Sequence, residues 1–219
     1  MGSQSTVSKS VPVSDRGLPR KLHLGCFDRP IDGWVNTDVT PHLRISRVPF
    51  LATAMRQVGL MNEERYRQHQ QGIFRKVRYL NVTKPFPFAS DYFECAFSSH
   101  MLEHIPKAFV GGLLKEIYRV LKPGGVVRTA VPDLDHFIAH YDAKNADQFV
   151  SDVFQTEAHG AKNRHWWMYN GHSLSRLLSE HGFQDVKVCG YREGECADLD
   201  QLDNRPDHSL YVEAFKPQQ

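Results

Sequence analysis

A ten-residue stretch near the start limits what this chain can fold into. Lys21-Leu-His-Leu-Gly-Cys-Phe-Asp-Arg-Pro30 begins as a short apolar alternation, turns at Gly25 and breaks at Asp28–Pro30. Trp34-Val-Asn-Thr-Asp38 then reads as a second strand that ends on an acid. A strand, a glycine turn and a carboxylate at the next strand tip form the nucleotide-binding end of a doubly wound sheet. The glycine admits backbone close to the ligand, and the acid accepts from two ribose hydroxyls. One glycine is no fingerprint, so the rest of the sheet must follow in order.

It does. Alternation predicts strands over 77–82 and 92–98, the second more continuously apolar and so central. Phe109, Val110, Leu113, Leu114, Ile117 and Leu121 recur at helical spacing, with Gly111-Gly112 weakening the first turn. Pro123-Gly-Gly125 turns the chain into a fifth strand over 126–131. Short helices follow over 134–141 and 146–154, and a better one over 173–181 ends at Gly182. The last strands, 186–191 and 209–215, have no clear helix between them and predict an antiparallel hairpin at one edge. The expected fold is a Rossmann-like α/β sheet, mostly parallel, with ligand at the strand carboxyl ends.

At 219 residues and 41% hydrophobic the chain can bury one core, so 20–219 is expected as a single domain behind a disordered tail, 1–19. Residues 40–76 exceed a minimal strand–helix alternation and read as a helical insertion or cap. From Arg44 to Arg78 there are eight Lys/Arg against two Glu, while Arg192–Asp207 holds six acids against two arginines. These opposite charges suggest approach over an acceptor pocket, against the simpler reading of two solvated faces. A net charge of +2 gives no field for nucleic acid. Four scattered cysteines without a CxxC pair read as free thiols in a reducing compartment. Without a spanning apolar run or signal segment, the expectation is a soluble cytoplasmic protein with no stable membrane anchor. The Met-Gly start fits a myristoylation pattern too short to carry weight.

The chain resembles the class I S-adenosylmethionine-dependent methyltransferases. The residues that carry this are Phe97-Ser-Ser-His-Met-Leu-Glu-His104, Glu116-Ile-Tyr-Arg-Val-Leu-Lys-Pro-Gly-Gly125 and Val131-Pro-Asp-Leu134. It is further similar to small methyltransferases associated with glycan and polysaccharide biosynthesis, as its ending Ser209-Leu-Tyr-Val-Glu-Ala-Phe-Lys216 also is. The resemblance implies S-adenosyl-L-methionine as cofactor and a saccharide hydroxyl as acceptor. It places Gly25 beside the methionine portion, Asp38 on the ribose, Asn81 and Val82 near adenine, and Ser98 and Ser99 beside the cofactor, with Cys26 also among the cofactor-binding residues. Phe27 departs from a usual glycine and His23 from a usual acid. If the cofactor binds, the Phe27 ring should turn away and pack on the 40–76 segment.

An alcohol is a poor nucleophile at neutral pH, so a positioned base should assist the in-line displacement. Histidine suits the task. His100 just past the fourth strand is the first candidate, His104 one helical turn on is the second, and Asp133 after the fifth strand is the third. Asp133 reads equally as a helix N-cap. His165-Trp166-Trp167-Met-Tyr169 with His172 would make an aromatic acceptor wall or a core segment. The His165/His172 spacing is weak for a metal, and none is expected. Two other readings stay open: an N-methyltransferase of a small metabolite, and a non-catalytic cofactor-binding partner subunit, which Phe27 favours. A homodimer is also left open.

Overall fold

The computed structural model describes residues 17–155 and 164–218. Residues 1–16 of the expected tail lie outside these, but the end of that tail is tied down. Leu18 packs on the core, and its carbonyl accepts from the Tyr92 hydroxyl at 2.6 Å.

Seven strands form one sheet in the order β3-β2-β1-β4-β5-β7-β6. They are β1 (Lys21–Leu24), β2 (Val35–Asp38), β3 (Arg78–Tyr79), β4 (Phe93–Ser99), β5 (Leu121–Pro132), β6 (Gln184–Cys189) and β7 (Ser209–Phe215). The first five run parallel, and β7 is antiparallel to both β5 and β6. The expected edge hairpin is therefore present, with β6 as the edge. Strand order reverses between β1 and β4, where Leu24 pairs with Ser98. At such a switch point the loops leaving two neighbouring strands diverge and open a crevice. Here those loops carry Gly25 and His100.

Two strands differ in length from the pattern. β3 stops after two residues because Asn81 folds its side chain onto Thr83, accepting from the amide at 3.0 Å and the hydroxyl at 2.8 Å. β5 starts five residues early, at Leu121, because it pairs with Phe93 across a bulge before regaining register at Val126.

The helices are α1 (His42–Ile45), α2 (Leu51–Gln57), α3 (Glu63–Gln70), α4 (Lys107–Val120), α5 (Leu134–Ala139), α6 (Ala146–Phe154), α7 (Gly171–Glu180) and α8 (Leu199–Leu202). α4 buries Val110, Leu113, Leu114 and Ile117 of the expected stripe together with Val120, while Phe109 is exposed and Leu121 already begins β5. Each buried side chain contributes roughly 1.5–3 kcal/mol. Gly111 lets His181 approach, since a Cβ there would lie 3.1 Å from its Nε2. α7 starts earlier than predicted, at a capping box formed by Asn170 and Ser173.

The opposite sheet face packs Trp34, Cys95, Phe97 and Val126 against Cys196 and Leu202. The acidic 192–207 loop thus covers a sheet face. The basic segment's described ion pairs go to Asp28, Asp32 and Glu63, while the acidic loop pairs with Lys21, Arg128, Lys187 and Arg192. None joins the two segments among the described residues, and Arg128 inside β5 draws the acidic loop onto the sheet. All four cysteines are free. No described helix is long and apolar enough to cross a membrane.

Candidate active site

A cavity of about 830 Å³ opens at the carboxyl ends of β1, β2 and β4. That falls within the usual range for small-molecule sites, roughly 300–1,000 Å³. One end is built by the turns after the first strands. Gly25 has φ +66°, and a Cβ there would press to 2.9 Å from Met101. Only glycine holds that conformation without strain and leaves the turn this close to Met101. Asp38, half-buried at the tip of β2, accepts from the Phe27 amide at 3.0 Å and the Thr40 amide at 2.6 Å. These bonds fix the carboxylate toward the crevice and leave further lone pairs for a ligand. Asn81 and Val82 line the same end.

Phe27 adopts φ +47°, a left-handed conformation that bulky residues rarely hold. Its ring lies 6.4 Å from those of His42 and Phe74, and the Arg65 guanidinium sits over it at 4.4 Å. The ring therefore packs on the 40–76 segment while its edge still lines the cavity. Arg65 also bridges to Asp28 at 2.5 Å, fixing the segment to the turn. Cys26 points elsewhere, buried among Leu43, Phe74 and Val77, and burial raises its thiol pKa first of all, with Asp38 adding to it. Ser98 is buried against Thr129, and Ser99 is half-buried; neither is among the described lining residues.

The other end holds histidines. His100, with φ +48°, leaves β4 through a bond from its amide to the Ala130 carbonyl at 2.9 Å. Both its ring nitrogens have neighbours: Nε2 is 2.9 Å from the Ser209 hydroxyl and Nδ1 is 3.3 Å from the Arg205 guanidinium. A guanidinium can only donate, so Nδ1 accepts from it and Nε2 is left to donate. His104 is a third exposed; its Nδ1 is 3.2 Å from the Arg164 carbonyl. His165 is 4% exposed, with Nδ1 at 2.8 Å from the Val153 carbonyl, and burial lowers its pKa. The two rings meet edge to face at 4.9 Å.

Among them lies Glu103, 0% exposed, and neither of its carboxylate oxygens has a hydrogen-bond partner. Its nearest ionisable neighbours are the rings of His100 at 3.5 Å and His104 at 4.0 Å. A lone buried carboxylate costs several kcal/mol unless a cation or proton meets it. Glu103, His104 and His165 place one ligand atom each within 4.8 Å of one another. The sequence shows Glu103 only as part of a Leu-Glu-His run; its burial has no local signal.

Other candidates fall outside the cavity. Asp133 caps α5, accepting from the Asp135 amide at 3.1 Å. Tyr169, 3% exposed, sits in the main core, where burial pushes its pKa up to about 12. Trp166 and Trp167 are exposed on the surface under Arg164 and Lys107, at 3.6 and 3.7 Å. His172 is exposed on the first turn of α7. Only His165 of the expected aromatic wall reaches the cavity, because the strand-like pairing of Tyr169 with Asp133 pulls the segment's end into the core. Sequence reasoning missed Arg205 of the acidic loop and His208 just after it, which both line the pocket.

No curated protein sequence matches the chain. Several solved structures share its fold. A SAM-dependent methyltransferase from Thermotoga maritima, described as a possible histamine N-methyltransferase, aligns with TM-score 0.51 at 15% identity, over 90% of this chain and 82% of that one. The S-adenosylmethionine-dependent methyltransferase SibL, in its apo form, aligns with TM-score 0.50 at 19% identity, over 93% and 52%. Phosphoethanolamine N-methyltransferase 2 of Haemonchus contortus, bound to phosphomonomethylethanolamine and S-adenosylhomocysteine, gives 0.50 at 16% identity, over 90% and 49%. The chain thus spans about half the length of the last two. Residues 35–188, well over half of the chain, match the family described as "Methyltransferase domain", and the chain belongs to that family.

Proposed function

We propose that this methyltransferase transfers the methyl group of S-adenosyl-L-methionine to a hydroxyl of a saccharide or glycan precursor. Bound S-adenosylmethionine supplies a sulfonium-activated methyl group. Gly25, Asp38, Asn81 and Val82 would hold it at one end of the cavity, and the open turn at Gly25 with the fixed Asp38 carboxylate fits such a ligand. The acceptor then meets the other end.

The observation that carries the hydroxyl reading is the unpaired Glu103 carboxylate beside three histidines. An amine acceptor attacks through its own lone pair, whereas a hydroxyl must lose its proton as the bond forms. With Nδ1 of His104 anchored on a carbonyl, its Nε2 carries the lone pair that accepts the proton. Glu103 stabilises the imidazolium formed. His100, held by Ser209 and Arg205, positions that guanidinium over the pocket, a change from the base role its place after β4 suggested. Arg205, His208 and Gln155 give the wall the donors and acceptors a polyhydroxylated acceptor needs.

The test is S-adenosylhomocysteine release with panels of saccharide and amine acceptors, in wild type and Glu103→Gln. Turnover of a saccharide that falls about 10²–10⁴-fold in the variant is the expected result. Turnover confined to amines and indifferent to Glu103 overturns the hydroxyl reading, and failure to bind S-adenosylhomocysteine at all favours a partner subunit.

A further inference from the structure

The Glu103 cluster turns three electron-rich groups toward one point. His104 and His165 each sit with Nδ1 against a backbone carbonyl, at 3.2 and 2.8 Å. A carbonyl only accepts, so Nδ1 carries the hydrogen in both rings, and in the neutral form of each ring Nε2 is the nitrogen with the free lone pair. Glu103 adds a carboxylate that is 0% exposed and has no donor on either oxygen. The ligand atoms of the three residues lie within 4.8 Å of one another. Three electron-rich groups facing a common point repel each other unless something positive stands there.

We propose that Glu103, His104 and His165 bind a divalent transition-metal ion of the zinc type. Two neutral imidazoles and one carboxylate are the donor set of open, catalytic-style zinc sites, which keep positions for water or substrate. The two backbone carbonyls are the outer partners that metal-binding histidines commonly use to fix their tautomer. Bonds of about 2.0–2.1 Å put tetrahedral ligand atoms roughly 3.4 Å apart, so the three side chains close inward by about an ångström on loading. His104 and His165 line the cavity, so the free positions face the acceptor end. The ion's part in catalysis, though not its binding, rests on the methyl transfer proposed above. An ion there would lower the pKa of a hydroxyl bound to it, so that the proton can pass to water in the open cavity, and the His104 nitrogen, now a ligand, would no longer be the proton acceptor. The His165/His172 spacing concealed the site, because the partners of His165 lie 61 and 62 residues upstream, at His104 and Glu103.

The test uses the full chain, stripped with a chelator and titrated with Co²⁺ as a spectroscopic probe and with Zn²⁺ by calorimetry. One ion per chain with visible Co²⁺ ligand-field bands is expected. Glu103→Gln and His104→Asn should each weaken binding tenfold or more. His136 and His140 on α5, with ring centroids 4.3 Å apart, are the place for adventitious binding. A His136→Ala/His140→Ala double variant should bind as wild type does. Should a cluster variant fail to fold, paramagnetic shifts of the His104 and His165 ring resonances in Co²⁺-loaded wild type decide the matter. Loss of binding in the α5 double variant, or unshifted rings, overturns the site. Methyl transfer by metal-free protein that chelators leave untouched removes the ion but keeps the methyltransferase reading. Metal binding without any methyl transfer does the reverse.

Discussion

Among the described residues, carboxylates are buried at two places in this fold, and they are furnished in opposite ways. Arg128, fully buried in β5, donates to Asp203 through Nε at 3.0 Å and again through a second nitrogen. It also donates to Glu213 at 2.9 Å and to the carbonyls of Glu193 and Gly190 at 2.9 and 3.1 Å. Glu213 is completed by the amides of Glu195 and Cys196, at 2.7 and 3.1 Å. Burial opposes the charge on Arg128, yet Asp203 and then Glu213 more than offset it, so its pKa is raised. Glu103 has none of this. A network with every donor and acceptor met fixes the 192–207 loop on the sheet; a carboxylate with none met is the one the proposed ion would complete.

The contrast breaks most visibly at Arg128. Arg128→Met leaves two carboxylates buried without a counter-charge, and should cost about 3–5 kcal/mol in urea unfolding at pH 7. A loss below 1 kcal/mol would mean the network is no more structural than Glu103. Glu103→Gln should show the mirror pattern: turnover down about 10²–10⁴-fold, with the unfolding midpoint unchanged or raised because an unmet charge has gone.

A third buried polar group sharpens the comparison by pH. His23, 5% exposed on β1, is held neutral, and burial lowers its pKa to about 4 against a weaker opposing bond to Asn36. The unfolded chain takes up that proton near pH 6.5 and the folded one near 4, so stability is fully present above 6.5 and is lost as pH falls between these values. Up to about 3 kcal/mol should disappear across the window. His23→Asn should flatten this limb in unfolding titrations at pH 7 and pH 4.5; an unaltered limb would assign it to the histidines around Glu103.

At the cofactor end the effects are smaller. Asp38→Ala removes a ligand acceptor and two turn bonds, and should weaken S-adenosylhomocysteine binding by about 1–3 kcal/mol in calorimetry. Phe27→Gly should change it least. The substitution relieves φ +47° but loses the contact under Arg65, worth about 0.5–1 kcal/mol. A large gain in affinity would show that the ring blocks the pocket.

Sequence alone determined the sheet. Period-two and period-3.6 apolar spacing reports which side of an element meets the core, so β1, β2, β4, α4, α6 and β7 were legible, and with them Gly25 and Asp38 at the strand tips. Spacing is local, and it reports nothing about what faces a side chain across the fold. It could not show that Tyr169 turns into the core, that Cys26 and Ser98 face away from the cavity, or that Arg128 gathers the acidic loop. Nor could it join Glu103 and His104 to His165, or bring Arg205 to His100 across more than a hundred residues. Burial and pairing at long range decide whether a carboxylate is satisfied, and only tertiary structure made Asp203 and Glu213 complete while leaving Glu103 bare.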